Sequence, residues 1–211
     1  MWHPSPHRKV AVIANGHFSY SLLSAIKEFE TLVAVDGGLV HCDRLSLTPS
    51  LIIGDFDSAP IELLKKYKTS AQLEALNQNK TDLEKTLEFL MSFPLEKITV
   101  FGALGHRIDH TLTNICLLTR YPGKVIFETE SESLMALEKK SHISCKKEQT
   151  LSLIPFNGPA EGITTSGLKW NLTKGRLDKN FIGISNLCLE ETLEIQFDSG
   201  DLVLCLNKNI R

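Results

Sequence analysis

Four short runs of apolar, largely β-branched residues constrain this chain most: KVAVIA (Lys9–Ala14), LVAV (Leu32–Val35), LII (Leu51–Ile53) and ITVF (Ile98–Phe101). Their apolarity is continuous rather than alternating, so both faces of each strand must be covered, as in a parallel sheet between helices. Helical patterns lie between and after them, over Ser21–Phe29, Ile61–Lys66, Asp82–Phe93 and His110–Thr119. Leu83, Leu87 and Leu90 share one face of the third, and Thr81 with Glu84 three residues on is a capping box that sets its start. The alternation predicts a Rossmann-like, doubly wound α/β domain with a mostly parallel sheet, ending in VIF (Val125–Phe127).

After about Glu130 the pattern changes. Leu134–Leu137, Thr150–Pro155, Leu187–Phe197 and Leu202–Leu206 are strand-like, separated by Gly, Asn, Asp and Ser turns, and no useful helical period remains. DSGD (Asp198–Asp201) reads as a hairpin connection between the last two. With 211 residues, two small domains are expected: an α/β domain over 1–129 and a small all-β sandwich over 130–211.

Charge narrows the partners. The formal net charge is -2, so no long-range positive field exists to hold nucleic acid or an anionic membrane. No apolar run approaches the ~18 residues of a membrane span, and the N-terminal MWHPSPHRKVAVIANG lacks a signal-peptide core. Cys42, Cys116, Cys145, Cys188 and Cys205 are scattered and form no CxxC pair, which argues against a disulfide framework and a zinc site. A reduced, cytoplasmic protein is the expectation.

The acidic residues fall where a site would be. Asp36 follows LVAV in VAVDGG, and Asp55 and Asp57 follow LII in LIIGDFDS. Ligands of open α/β sheets bind outside the carboxyl ends of the strands, so these acids are expected in one crevice. Two residues apart in extended chain, Asp55 and Asp57 would present both carboxylates on one face. Asp82 joins them from the first turn of the next helix. Singly, Asp36 is explained as a turn residue and Asp82 as a favourable charge at a helix start. The DFD pair resists that explanation, because a turn needs one Asp. Clustered carboxylates repel unless a cation neutralises them, and such hard oxygen ligands suit Mg²⁺ beside a substrate phosphate.

Gly37-Gly38 and Gly102–Gly105 follow two of the strands and would let backbone approach a phosphate closely. There is no GxxxxGK[ST] and no GxGxxG after the first strand, which disfavours a Walker-type ATPase and a dinucleotide oxidoreductase. Arg107 could neutralise phosphate oxygens, with Asp109 holding it or binding substrate; a simple ion pair at a helix start explains them equally well. His106 and His110, flanking that start, read as solvent-facing or capping. Trp170, a lone tryptophan in SGLKWNL, reads on spacing alone as core.

Taken together, VAVDGG (Val33–Gly38), GDFDS (Gly54–Ser58), QNKTDLEKTL (Gln78–Leu87), GALGHRIDH (Gly102–His110), SGLKWNL (Ser166–Leu172) and GISN (Gly183–Asn186) resemble the thiamine pyrophosphokinase family in content and order. The resemblance implies an ATP- and Mg²⁺-binding α/β domain and a C-terminal β-sandwich that binds thiamine. It also implies a homodimer with active sites between subunits, and transfer of a diphosphate from ATP to the thiamine hydroxyl with release of AMP. Asp55, Asp57 and Asp82 then match metal and phosphate ligands, and Asp36 an acid beside them. Asn15, Gly37, Gln78, Thr81, Lys85 and Arg107 fall on the nucleotide side, with Asp109 near the substrates. Trp170 would stack on thiamine, with Ser185 and Asn186 adding polar contacts; a flat cation suits an aromatic face. Either Asp36 or Asp109 would accept the alcohol proton.

Three rival readings fit the sequence less well. A haloacid-dehalogenase-type phosphatase wants its acid pair after the first strand with Thr or Val fifth, whereas Ala59 is fifth here and the strand is a later one. Transfer to a pterin alcohol fits SGLKWNL and GISN poorly, and a non-catalytic nucleotide sensor needs no acidic cluster.

Overall fold

Lys9–Ile13 forms β1, and Val10 to Ile13 are fully buried, as continuous apolarity requires. The computed structural model describes residues 2–5, 8–75, 77–181 and 183–210. By their contacts the residues group into two units, 1–114 with 127–129, and 115–126 with 130–211.

In the first unit β1 is followed by α1 (Leu23–Ile26), β2 (Thr31–Val35), α2 (Leu39–Arg44), β3 (Leu51–Gly54), α3 (Ile61–Lys66), β4 (Ala71–Glu74), α4 (Asp82–Met91) and β5 (Lys97–Phe101). The strands pair in parallel in the order β4-β3-β2-β1-β5. Register brings their carboxyl ends level: Ile13 pairs with both Ala34 and Phe101, and Val35 with Ile53. The chain leaves β1 toward β2 on one side and meets β5 on the other, so the order reverses at β1, where such sheets open a crevice. The loop after β1 is tied there, with the Gly16 and His17 N–H groups donating to the Gly102 and Leu104 carbonyls, each at 2.8 Å. Leu83, Leu87 and Leu90 of α4 are buried, and Thr81 caps the helix, its Oγ1 accepting from the Glu84 N–H at 3.2 Å.

Some elements differ from expectation. Ser21–Phe29 is a 3-10 turn (Tyr20–Leu22) followed by the four residues of α1 rather than one long helix. The strand β4, sequence AQLE, is largely exposed and carries no apolar signal, and α2 is too short to show a period. α5 (Ile108–Leu118) and β6 (Val125–Glu128) cross the division between the units.

The second unit contains β7 (Glu132–Ala136), β8 (Lys140–Ser144), β9 (Gln149–Ser166), β10 (Gly175–Leu177), β11 (Gly183–Leu187), β12 (Thr192–Gln196) and β13 (Ser199–Ile210). These strands pair antiparallel around the 18 residues of β9. Residues near its start pair with β13 and β11, and those near its end with β12 and β10. Leu151, Leu153, Ala160, Ile163, Leu193, Ile195, Leu202 and Leu204 are part of the buried core. DSGD is not a β12–β13 hairpin. It returns the chain to β9, passing so close at Gly200 that a Cβ there would sit 2.2 Å from the Pro159 oxygen. Leu187–Phe197 likewise divides into β11 and β12, with Cys188, which bridges Leu168, between them. Among the described residues no helix is long and apolar enough to cross a membrane, and the five cysteines are free thiols.

Candidate active site

The acids are assembled by turns at the ends of β2 and β3. Asp36 opens the 3-10 turn Asp36–Gly38 with φ +43°, and Phe56, between Asp55 and Asp57, has φ +63°. A left-handed phenylalanine means that the two carboxylates meet across a tight turn, not along an extended strand. The Asp57 N–H donates to Asp55 Oδ1 at 3.3 Å, and Ser58 Oγ donates to Asp57 Oδ1 at 2.9 Å. One carboxylate oxygen each from Asp36, Asp55 and Asp57 lies within 4.8 Å of the others.

Asp36 and Asp82 line a cleft of about 330 Å³ with Asn15, Ser58, Thr81, Arg107 and Asn114. Burial pushes the Asp36 carboxyl above its ordinary range; the Gly37 N–H and Ser58 hydroxyl oppose this, while the Asp82 and Asp57 charges add to it. Asp36 Oδ1 is buried with no hydrogen-bond partner. Asp82 Oδ1 is buried too, and is ion-paired with Lys85 Nζ at 2.6 Å. The unpartnered Asp36 oxygen, an all-oxygen donor set and mutual repulsion fit a hard divalent cation.

Several expected residues are elsewhere. Lys85 does not line the cleft; its buried side chain donates to the Ala75 carbonyl at 2.7 Å and stands against Asp82. Gln78 is exposed and also outside the lining. Asp109 chelates Arg107 through Nε at 3.1 Å and Nη2 at 2.5 Å, and that guanidinium holds its carboxyl down at about 2. Asn114 was not foreseen. It is buried, lines the cleft and donates Nδ2 to the Ala103 carbonyl at 2.6 Å; its position one turn after His110 on α5 was the available signal.

In the second unit Trp170 and Asn186 line a separate, largely apolar cavity of about 410 Å³ with Leu153, Leu172, Leu177, Phe181 and Ile184. Trp170 is 58% exposed, not a core residue, and Lys169 Nζ lies 4.7 Å from its ring centroid. Ser185 is outside the lining; its φ is +57° and its N–H donates to Ser152 Oγ at 3.0 Å.

Two predictions arise from this packing. Asp36→Asn is expected to stabilise the metal-free protein by about 1–2 kcal/mol, because it removes an unpaired buried charge. A carboxyl whose folded-state titration is raised keeps its stability contribution at low pH and loses it as pH rises through that titration. The gain should therefore widen from acid to neutral pH, and thermal melts at several pH values with a chelator present will check it. Gly38→Ala puts a Cβ 2.1 Å from the Ile13 oxygen, a backbone atom, whereas Gly37→Ala meets the movable Asn15 amide at 2.3 Å. Denaturant titration should find Gly38→Ala destabilised by about 3 kcal/mol and Gly37→Ala by less than about 1.

The thiamin pyrophosphokinase catalytic-domain family model matches residues 22–127, and the thiamin pyrophosphokinase vitamin B1 binding-domain model matches residues 137–202. Thiamine pyrophosphokinase 1 of Oryza sativa subsp. japonica is 32% identical over 76% of this chain and 66% of its own length. Thiamine pyrophosphokinase 2 of Arabidopsis thaliana is 33% identical over 72% of this chain and 62% of its own. The chain thus spans a little under two thirds of these plant relatives. The crystal structure of the Bacillus subtilis thiamine pyrophosphokinase superposes with a TM-score of 0.83 at 21% identity, covering 96% of this chain and 100% of that one.

Proposed function

The chain belongs to the thiamine pyrophosphokinase family, and we propose on that footing that it transfers the diphosphate of ATP to the hydroxyl of thiamine. The products are thiamine diphosphate and AMP. One observation carries the reading: the carboxylates of Asp36, Asp55 and Asp57 meet within 4.8 Å at the carboxyl end of a parallel sheet, and Asp36 shares a cleft with Arg107.

In this proposal residues 1–129 are a doubly wound catalytic domain and residues 130–211 a β-sandwich for thiamine binding and dimerisation. Asp55, Asp57 and Asp82 would hold Mg²⁺, with Asp36 beside them. When bound, the ion neutralises phosphate charge and orients the triphosphate. Asn15, Thr81 and Arg107 would meet the nucleotide from the cleft wall, and Gly37 lets the Asn15 amide lie close against the backbone. Gln78 belongs to the nucleotide side by resemblance. Lys85 would serve there chiefly by holding Asp82.

The thiamine oxygen attacks the β-phosphorus, the new O–P bond forms, and the bond from that phosphorus to the α–β bridging oxygen breaks. AMP leaves with the bridging oxygen, and a carboxylate takes the alcohol proton. Asp109, chelated by Arg107 and held down at about 2, is a poor base in this state, which favours Asp36 for that proton. Trp170 would stack on thiamine, with Ser185 and Asn186 next to it. The proposal includes a homodimer whose active sites lie between subunits, supported by the exposure of Trp170, Phe181 and Ile184. The free thiols suit the cytoplasm.

Incubation with ATP, Mg²⁺ and thiamine should yield AMP and thiamine diphosphate in equal amounts by mass spectrometry. ADP as the nucleotide product would reject diphosphate transfer.

A further inference from the structure

The hydrogen-bond ladder that carries Trp170 is finished by a side chain. Leu168 and Cys188 form an antiparallel bridge, and the Lys169 N–H donates to the Leu187 carbonyl at 2.9 Å. One residue further, backbone pairing stops: among the described residues Trp170 makes no backbone–backbone bond, and near it Ser185 is left-handed and β11 shifts its register on β9 between Gly183 and Asn186. The carboxamide of Asn186 takes over. Its Oδ1 accepts from the Trp170 N–H at 3.1 Å and the Leu187 N–H at 2.8 Å, and its Nδ2 donates to the Trp170 carbonyl at 2.7 Å. Both backbone polar groups of Trp170 are thus bonded to one amide, which acts as a substitute peptide group. The reverse orientation of the amide would set donor against donor and carbonyl against carbonyl.

Among the described residues the indole makes no hydrogen bond, and Lys169 Nζ lies 4.7 Å from its centroid. Trp170 is 58% exposed and lines the apolar cavity, so core packing does not hold it. The turn it sits on does. Asn171 Oδ1 holds the other end of that turn, accepting from the Leu168 N–H at 3.2 Å.

We infer that Asn186 is a positioning residue: its carboxamide, bonded through both Oδ1 and Nδ2 to the backbone of Trp170, holds the turn that carries the indole beside the cavity and acts on the bound ligand through that ring. This rests on the reading of the cavity as the thiamine site, and it replaces a polar contact from Asn186 to thiamine with an indirect role.

The test uses a Trp2→Phe background, in which Trp170 is the sole tryptophan. Asn186→Ala removes three hydrogen bonds. Asn186→Asp is isosteric, keeps the two hydrogen bonds that Oδ1 accepts and sets a carboxylate oxygen against the Trp170 carbonyl; it carries the test should the alanine variant not fold. Without any substrate, both are expected to change the Trp170 emission maximum and its quenching by acrylamide. Both should raise the thiamine KM by about tenfold, with the ATP KM and kcat within about twofold. In a Trp170→Ala background, Asn186→Ala should add less than about twofold to the thiamine KM. The same factor in both backgrounds would mean that Asn186 touches the substrate and would overturn the inference, as would unchanged Trp170 fluorescence. A protein inactive before any substitution would reject the proposed reaction, while the substrate-free fluorescence still decides the role of Asn186.

Discussion

Asp57→Asn is expected to lower kcat for diphosphate transfer by at least about a hundredfold, with the melting temperature within about 2 °C of the parent. Asp57 is exposed, so folding does not depend on burying it, and an asparagine oxygen can still accept from Ser58 Oγ. What disappears is one charge of a group whose three carboxylates lie within 4.8 Å of one another. A neutral amide binds a divalent cation and a polyphosphate assembly far less well than a carboxylate. Steady-state kinetics at saturating ATP, thiamine and Mg²⁺ give the rate, and a Mn²⁺ titration read by electron paramagnetic resonance gives cation binding without turnover. Turnover near the parent's would remove Asp57 from the catalytic group.

Trp170→Ala should act on one substrate alone, raising the thiamine KM by about 30- to 100-fold and the ATP KM by less than about threefold. Cation–π attraction and the ring's contact area together contribute about 2–2.7 kcal/mol. Because Trp170 is more than half exposed, stability should barely move. Lys169 bears on the size of the effect: an ammonium 4.7 Å from the ring centroid already draws on the π density that a cationic ligand would use. Equal rises in both KM values would contradict stacking.

Much of the first unit was legible because its signals are local. Continuous apolar runs give β1, β2, β3 and β5, the Thr81–Glu84 box gives the start of α4, and strand-end acids give Asp36, Asp55 and Asp57. Each depends on a few neighbouring residues. The reason the acids meet was less legible. Extended pleating was the expectation, whereas the left-handed backbone at Asp36 and Phe56 brings them together, and a non-glycine residue does not advertise such a conformation. Lys85 illustrates a different limit. Motif order puts it beside the nucleotide, but its stem is buried and its ammonium stands between Asp82 and the Ala75 carbonyl, which only tertiary packing decides. In the second unit the strands were visible as segments, but not their partners. Pairing across β9 joins residues far apart in sequence, and alternation along one strand does not say which other strand lies beside it.

That dependence on β9 also has a bearing on the order of events during synthesis. The five parallel strands β1 to β5 of the first unit have all been made once residue 101 has left the ribosome. The second unit has no such early completion, because β13 is the partner of both β7 and β9. Until residues 199–210 are made, β7 and the start of β9 carry open edges, and a nascent chain is at its most adhesive over that interval.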